Sequence, residues 1–191
     1  MIAGHFGFAA AVKSRAPRVP LWALMLASVW MDVVFIPLFA AGIEPIVPVP
    51  GTRGGYGEGI IHADYTHSLV GALVIAATFA LVAGIRWRRE VALVLGAVVF
   101  SHWVLDLPMH RADMPLLPGN AGNLPLLGFG LWRSPVASAL LELVIVLLGV
   151  GLYATRAGQL DGADAAKRAR RVSVVLLVSG LVTLVLNLVG Q

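Results

Sequence analysis

The chain has 191 residues, of which 59% are hydrophobic and 13% are charged, and it contains no cysteine. Soluble domains usually carry about a quarter charged residues, so this composition excludes an ordinary soluble domain and indicates a protein with several membrane spans. The lack of cysteine excludes disulfides and thiolate metal sites. Any metal must therefore be bound through nitrogen and oxygen atoms.

The net charge is +4, and the basic residues are concentrated on one side of the predicted membrane. Three groups account for 11 of the 14: Lys13, Arg15 and Arg18; Arg86, Arg88 and Arg89; Arg156, Lys167, Arg168, Arg170 and Arg171. The positive-inside rule predicts a cytoplasmic N-terminus, an external C-terminus and external loops at residues 44–65 and 108–133. Because topology explains the charge, no nucleic-acid partner is expected, and the cluster within residues 156–171 is interpreted as a topology signal.

The first apolar segment, residues 2–12, is too short to span a membrane and is followed by Pro17 and Pro20. It is expected to form a short re-entrant or interfacial helix. Five further segments are each near the roughly 20 residues that cross about 30 Å of hydrocarbon. They predict one all-α domain, residues 1–191, a polytopic membrane helical bundle with spans at residues 21–43, 66–85, 91–107, 134–154 and 172–189.

Polar residues inside these segments are predicted to share one layer of the bundle. His5 lies 15 residues before Pro20 and Asp32 lies 12 residues after it, so a helical hairpin puts both about 18 Å from one boundary. His102 and Glu142 lie 11 and 12 residues from the predicted inner ends of their spans. All four are therefore expected at a similar depth.

Two loops on the predicted outer side have distinctive compositions. Residues 51–59 are rich in glycine but lack Gly-Lys-Ser/Thr and follow no predicted strand, so a flexible lid or connector is favoured over a phosphate-binding loop. Residues 108–133 are rich in Pro and Gly and are expected to form a long structured or partly inserted loop, where functional residues often lie. Their basic residues, Arg111 and Arg133, are the best placed to bind a phosphate.

Two pairs of polar residues have the spacing of metal ligands. His102 and Asp106 are four residues apart on one helix face, which offers two ligands to one cation; a hydrogen bond between helices is the alternative. Asp64 and His67 are three apart at the start of the second span, where Asp64 could instead be the N-cap. The outer loops add further candidates: His62, His110 and Asp113.

The acids Asp32, Asp106 and Glu142 lie in apolar segments without a Lys or Arg to pair with them. Each costs about 2.5–3.5 kcal/mol near the centre of a bilayer, and a bound cation would offset this cost. More than four His and carboxylate candidates favour two or three zinc-like ions, with Mn²⁺ or Fe²⁺ as alternatives. Such a centre activates water for hydrolysis, above all of phosphoesters.

Four segments resemble the bacterial family of membrane-bound metal-dependent hydrolases: His5-Phe-Gly-Phe, Val-Trp-Met-Asp32, His62-Ala-Asp-Tyr-Thr-His67-Ser and Ser101-His-Trp-Val-Leu-Asp106. Over about residues 1–145 the order of these residues is also similar to the zinc-dependent phospholipase C fold, a helical bundle with a trinuclear zinc site. Met31 stands where the family usually has Pro. The resemblance implies as metal ligands His5, Asp32, His67, His102, Asp106 and Glu142, with His62, Asp64 and His110 as further candidates.

Residues and resemblance together predict a hydrolase of the bacterial cytoplasmic membrane whose site opens to the extracytoplasmic side and cleaves a phosphoester of a lipid or lipid-linked substrate. Asp32 is expected to orient or deprotonate the water. The alternatives are an amide or ester hydrolase, a non-enzymatic metal-binding protein, and a metal-ion or proton transporter. Transport is disfavoured because the inner halves of the spans, such as residues 22–31 and 144–152, are almost wholly apolar.

Overall fold

The computed structural model describes residues 1–51, 57–157 and 163–189. The structure is mostly helical, and the described residues form seven α-helices. These are α1 (Ile2–Arg15), α2 (Leu21–Ser28), α3 (Trp30–Ala40), α4 (Leu69–Arg86), α5 (Arg89–Asp106), α6 (Pro135–Ala157) and α7 (Ala163–Val189). The predicted all-α class is confirmed, apart from one small hairpin of strands.

Fewer helices than the five predicted spans have the length and composition of a membrane span. Among the described residues, α4, α6 and α7 are long and apolar enough to cross a membrane. Helices α2 and α3, bent by 43° at the break between them, make a fourth if they are one broken span. Helix α5 is not among these candidates. Its 18 residues include three charged ones, Arg89, Glu90 and Asp106, which is more than an apolar span of this length carries. Five spans are therefore not confirmed.

Two short strands, β1 (Ile46–Pro48) and β2 (Gly59–Ile61), pair antiparallel, with Ile46 opposite Ile61. The strands are rich in β-branched residues, which favour extended backbone. The expectation that no strand precedes the glycine-rich loop is therefore wrong. However, a strand and not a helix follows the loop, so the strand–loop–helix order of a phosphate-binding loop is missing. Residues 52–56 of this loop, including Arg53, lie outside the described residues.

The loop of residues 108–133 is ordered and lies against the starts and ends of helices. It contains 3₁₀ turns at Pro118–Asn120 and Leu131–Arg133. The carbonyls of Pro115 and Leu116 accept hydrogen bonds from the N–H groups of Leu69 and Val70. These N–H groups are in the first turn of α4, where a helix has no carbonyl of its own to accept from them.

The N-cap of α4 is Ser68, whose side chain accepts from the Gly71 N–H. The alternative that Asp64 caps this helix is therefore wrong, because the helix begins at Leu69 and the preceding residues form a turn.

Helix α1 is inserted among α2, α6 and α7. Half of its 14 residues are buried, and its backbone touches that of α6. A Cβ atom on Gly149 would overlap the carbonyl oxygen of Gly7, and one on Gly7 would lie 2.8 Å from the Ile145 carbonyl oxygen. Small residues allow such close helix pairs in membranes. This burial favours the re-entrant alternative over an interfacial helix.

The helix ends that carry most of the basic residues lie together. Arg18 pairs with Glu90 at 3.9 Å, and the rings of Trp22 and Trp87 lie 5.8 Å apart, so the α1–α2 turn adjoins the α4–α5 turn. Ala169 of α7 packs beside α2 at the same end. The clustering of positive charge at one end agrees with the sequence analysis, and the assignment of this end to the cytoplasm stays a prediction.

Candidate metal centre

Six polar side chains from different parts of the chain converge at the heart of the bundle. They are His5 of α1, Asp32 of α3, His67 before α4, His102 and Asp106 of α5, and His110 after α5. Five are buried, and Asp32 has a side chain that is 38% exposed. Two overlapping groups among the described residues bring three ligand atoms within 4.8 Å of one another: His5, His102 and Asp106; Asp32, His67 and His102.

Asp106 is the centre of this cluster. Its Oδ2 atom lies 3.1 Å from the Nε2 atom of His102, 3.7 Å from that of His110 and 3.9 Å from that of His67. The Oδ1 atom of Asp32 lies 3.4 Å and 3.8 Å from the Nε2 atoms of His102 and His67. Most of these separations are too long for hydrogen bonds. Ligand atoms about 2.1 Å from a tetrahedral zinc ion are about 3.4 Å apart, so the spacing suits a cation.

The backbone of the broken span orients His102. Its Nδ1 atom donates to the carbonyl of Ser28 at 2.8 Å, next to the break at Val29. A neutral imidazole has one N–H group, so in that form Nε2 keeps its lone pair and faces the two carboxylates. This Nε2 atom is buried and has no hydrogen-bond partner in the described structure.

A chain of hydrogen bonds orients His67 in the same way. Its Nδ1 atom lies 2.9 Å from Oγ1 of Thr66, and this hydroxyl donates its proton to Oε2 of Glu44 at 2.8 Å. The hydroxyl must therefore accept from Nδ1–H, which leaves the lone pair on Nε2. Glu44 is fully buried and also accepts from the N–H groups of Tyr65 and Thr66.

His110 is held by a carboxylate. Its Nδ1 atom lies 2.9 Å from Oδ1 of Asp113, and Oδ2 of Asp113 accepts from the Ile61 N–H of β2. Ionised Asp113 can only accept, so Nδ1 is the donor. Three histidines thus have the arrangement typical of metal ligands, in which one ring nitrogen donates to a carbonyl, hydroxyl or carboxylate and the other is free.

His5 completes the cluster at the other carboxylate oxygen of Asp106. Its Nε2 atom lies 3.1 Å from Oδ1 of Asp106, and its ring stacks on His102 with centroids 3.8 Å apart. Its Nδ1 atom is buried without a hydrogen-bond partner in the described structure. An unpaired buried nitrogen costs about 1–3 kcal/mol, which a bound ion or water would recover.

The charges of the cluster favour a cation. In the described part of the chain, histidines alone lie within ion-pairing distance of Asp32 and Asp106, and no Lys or Arg neutralises them. Two carboxylates among neutral imidazoles leave a formal charge of −2. The oxygen and nitrogen donors are those that zinc, manganese and iron accept. The residues present therefore fit a metal centre.

The structure does not bring Glu142 into either group. Glu142 is fully buried, but its Oε2 atom accepts from the Gly4 N–H at 3.2 Å. Helix α1 packs against α6, so the backbone of the first turn of α1 lies next to the Glu142 carboxylate. Of the four residues predicted to share a layer, His5, Asp32 and His102 meet, whereas Glu142 contacts the helix that carries His5.

Only some of the candidates from the outer loops lie near the cluster. His110 joins the cluster, whereas His62 is exposed and Asp64 belongs to neither group. Residues 64–66 form a turn before α4, so Asp64 and His67 are not on the first turn of that helix as predicted. Arg111 donates to the Gly57 carbonyl at 3.1 Å, and Arg133 is exposed at the second 3₁₀ turn. Their contact with a phosphate stays a prediction.

Of the groups that orient the histidines, Asp113 was named among the outer-loop candidates, but its hydrogen bond to His110 was not predicted. Thr66, Glu44 and the Ser28 carbonyl were missed. Thr66 is adjacent to His67, so spacing could have suggested it. No local pattern links Glu44 or the Ser28 carbonyl to a histidine, because their partners are 22 and 74 residues away.

No protein-family model, no curated protein and no solved structure matches this chain. The likeness to metal-dependent hydrolases is therefore carried by the quoted residues alone.

Proposed function

We propose that the protein is a membrane-embedded metal-dependent hydrolase with this cluster as its active site. One observation carries the proposal: His67, His102 and His110 each have Nδ1 engaged by an acceptor and Nε2 directed at carboxylates without a basic partner. Hydrogen bonding inside the protein explains the first half of this pattern. A cation between Nε2 and the carboxylates explains the second.

The ligand set suits two ions. His102 offers one free nitrogen, so the two groups that share it are not independent sites. Asp106 would help to hold both ions, because its Oδ1 atom faces His5 and its Oδ2 atom faces the other histidines. We assign zinc first and keep manganese and iron as alternatives. A third ion would need donors from outside the cluster.

Helix α5 is proposed as a fifth span, with α1 as the re-entrant helix. Its 18 residues are about 27 Å long, and its buried face is covered by protein and not by lipid. A helix shielded in this way tolerates polar residues that a lipid-facing span does not. With the basic end in the cytoplasm of a bacterium, the centre opens toward the extracytoplasmic half of the bilayer.

The surroundings of Asp32, where the cluster reaches the surface and has its opening, favour a lipid substrate. Asp32 is its one half-exposed member, and α3 around it presents apolar side chains: Val33, Ile36 and Phe39 are 39%, 60% and 47% exposed. Phe35 packs edge-on against His67 and flanks the opening. A substrate with an apolar chain can therefore approach sideways from the bilayer.

The residues of the site have different proposed roles. Ions of the zinc class supply Lewis-acid activation of water and of a phosphoryl oxygen when bound. Asp32 lies at the opening, where its carboxylate can orient an incoming water and accept its proton. Buried Asp106 holds the histidines around it. Arg111, on the adjoining loop, is proposed to receive the phosphate.

Elemental analysis of the purified protein tests the centre. We expect about two zinc-like ions per chain, and a loss of most metal in His102→Ala and Asp106→Asn. His62→Ala is the matched control, because this histidine is exposed and outside the cluster. Folded wild-type protein without metal after purification in zinc would contradict the proposal.

A measurement of catalytic turnover distinguishes a hydrolase from a metal-ion transporter. We expect the metal-loaded protein to cleave phospholipids or prenyl phosphates in mixed micelles, and Asp32→Asn to lower kcat about 100- to 10,000-fold, the usual range for general-base catalysis. Cleavage of amide or ester lipids alone would replace the phosphoester substrate. Metal flux in liposomes without any turnover would contradict the enzyme.

A further inference from the structure

The second and third turns of α7 carry four exposed cations: Lys167, Arg168, Arg170 and Arg171. We name them the α7 basic cluster. None forms a hydrogen bond or ion pair with the part of the chain that the structure describes, and the described acid nearest in sequence is Asp164. A topology signal requires only positive charge at this end. It does not require the charges to lie on one face.

Three of the four cations nevertheless share one helix face. Lys167, Arg170 and Arg171 lie beside Val174 and Val175 on the open surface of α7. These positions follow the i, i+3, i+4, i+7, i+8 spacing of a single helix face. The face therefore combines three cations with an adjoining apolar strip, which we call the apolar floor.

The apolar floor continues along the helix. Val178, Val182 and Val185 are 53%, 51% and 57% exposed on the same face, within the segment of α7 that is long and apolar enough to span a membrane. The cations thus lie where lipid headgroups meet the hydrocarbon, and the valines lie where acyl chains run.

We infer that this face of α7 binds an anionic diacyl phospholipid. Its phosphate lies among Lys167, Arg170 and Arg171, whose donors match phosphate oxygens, and its acyl chains run along the valines. Basic residues next to a span attract anionic lipids. A soluble phosphate would leave the apolar floor unused, so the lipid is the favoured ligand. The inference is independent of the metal centre.

Native mass spectrometry of the full chain tests this site. Protein in detergent is offered equal amounts of phosphatidylglycerol and phosphatidylcholine, and we expect preferential retention of phosphatidylglycerol. The triple variant Lys167→Gln, Arg170→Gln, Arg171→Gln is expected to lower this retention about tenfold or more. The matched control is Arg86→Gln, Arg88→Gln, Arg89→Gln, which removes the same charge at the same end of the bundle.

Three outcomes would overturn the inference. They are equal retention of both lipids by the wild type, equal losses in the two triple variants, and displacement of the lipid by millimolar glycerol 3-phosphate. If the triple variant does not insert, the single variants Arg170→Gln and Arg171→Gln are measured instead, with an expected loss of about threefold each. The variant Val174→Asn, Val175→Asn tests the floor and is expected to weaken retention with all cations in place.

Discussion

The free nitrogen of each histidine defines the centre at the scale of single residues. Ser28, Thr66 and Asp113 each engage a different Nδ1 atom, and each leaves an Nε2 atom directed at Asp106. The three acceptors differ in chemistry: a backbone carbonyl, a hydroxyl backed by Glu44, and a carboxylate. Their common effect is to select one tautomer, and this selection is what a metal ligand requires.

Thr66→Val is expected to weaken metal binding about 10- to 100-fold, the usual cost of losing a group that orients a ligand. The change removes the hydroxyl that links His67 to Glu44 and keeps a similar volume. Zinc affinity is measured by competition with a chelator.

Thr66→Ser keeps the hydroxyl and is expected to stay close to the wild-type affinity. Thr183→Val is the control, since Thr183 donates only to the Ser179 carbonyl of its own helix. Equal affinities for the Val and Ser variants at position 66 would contradict the assigned role.

Glu142→Ala is expected to retain the metal and to lower the free energy of unfolding by about 1–3 kcal/mol, because the buried Gly4 N–H loses its acceptor. Asp106→Asn is expected to lose the metal. Elemental analysis and thermal unfolding are run on both variants. Loss of metal in a folded Glu142→Ala variant would show that Glu142 is a ligand after all.

At the scale of elements, one irregularity and one close contact position the ligands. The break between α2 and α3 lies beside the carbonyl that accepts from His102. Irregular backbone at membrane depth is tolerated where it is buried in protein. The contact between Gly7 and Gly149 lets α1 approach α6 closely, and α1 carries His5.

Gly149→Ala is expected to be strongly destabilising, because its Cβ atom would overlap the Gly7 carbonyl oxygen. Overpacking usually costs about 1–3 kcal/mol and occasionally more, and movement of α1 would also withdraw His5 and lower metal content. Gly151→Ala is the matched control on the same helix, with nothing within 4 Å of its added Cβ atom. Thermal unfolding and zinc content that are equal in the two variants would contradict this packing.

At the scale of the whole molecule, the bundle brings Asp32 and Asp106 to a place where, among the described residues, histidines alone lie within ion-pairing distance of them. Segments from both halves of the chain supply the cluster, so an ion bound there links α1, α3 and α5. Ligands that bind only the folded state stabilise it in proportion to the logarithm of their concentration.

Zinc at about 100 times its Kd is expected to stabilise the protein by about 2.7 kcal/mol. For a chain of this length this corresponds to a rise in Tm of about 5–10 °C. The measurement is thermal unfolding of chelator-treated protein with increasing zinc. Asp106→Asn is expected to show no rise, and an equal rise in both proteins would place the zinc elsewhere.

The sequence alone determined where three of the long helices lie. Hydropathy and spacing are local properties, so α4, α5 and α6 begin and end within three residues of their predicted segments. The other predicted spans differ from the structure: residues 21–43 contain two helices, α2 and α3, and α7 begins at Ala163, nine residues before its predicted span. The depth argument also placed His5, Asp32 and His102 together, because rise per residue converts sequence distance into depth.

Tertiary structure decided which of these residues meet. The predicted depth of a residue in the membrane does not specify how its helix is rotated about the helix axis. Glu142 was therefore predicted at the depth of the cluster, but its side chain contacts the backbone of α1. The Ser28 carbonyl and Glu44 reach histidines that are distant in sequence, and only the packing of α2 against α5 and the turn before α4 brings them there. Hydrogen bonds depend on separations of a few tenths of an ångström, which helix packing sets and local sequence does not.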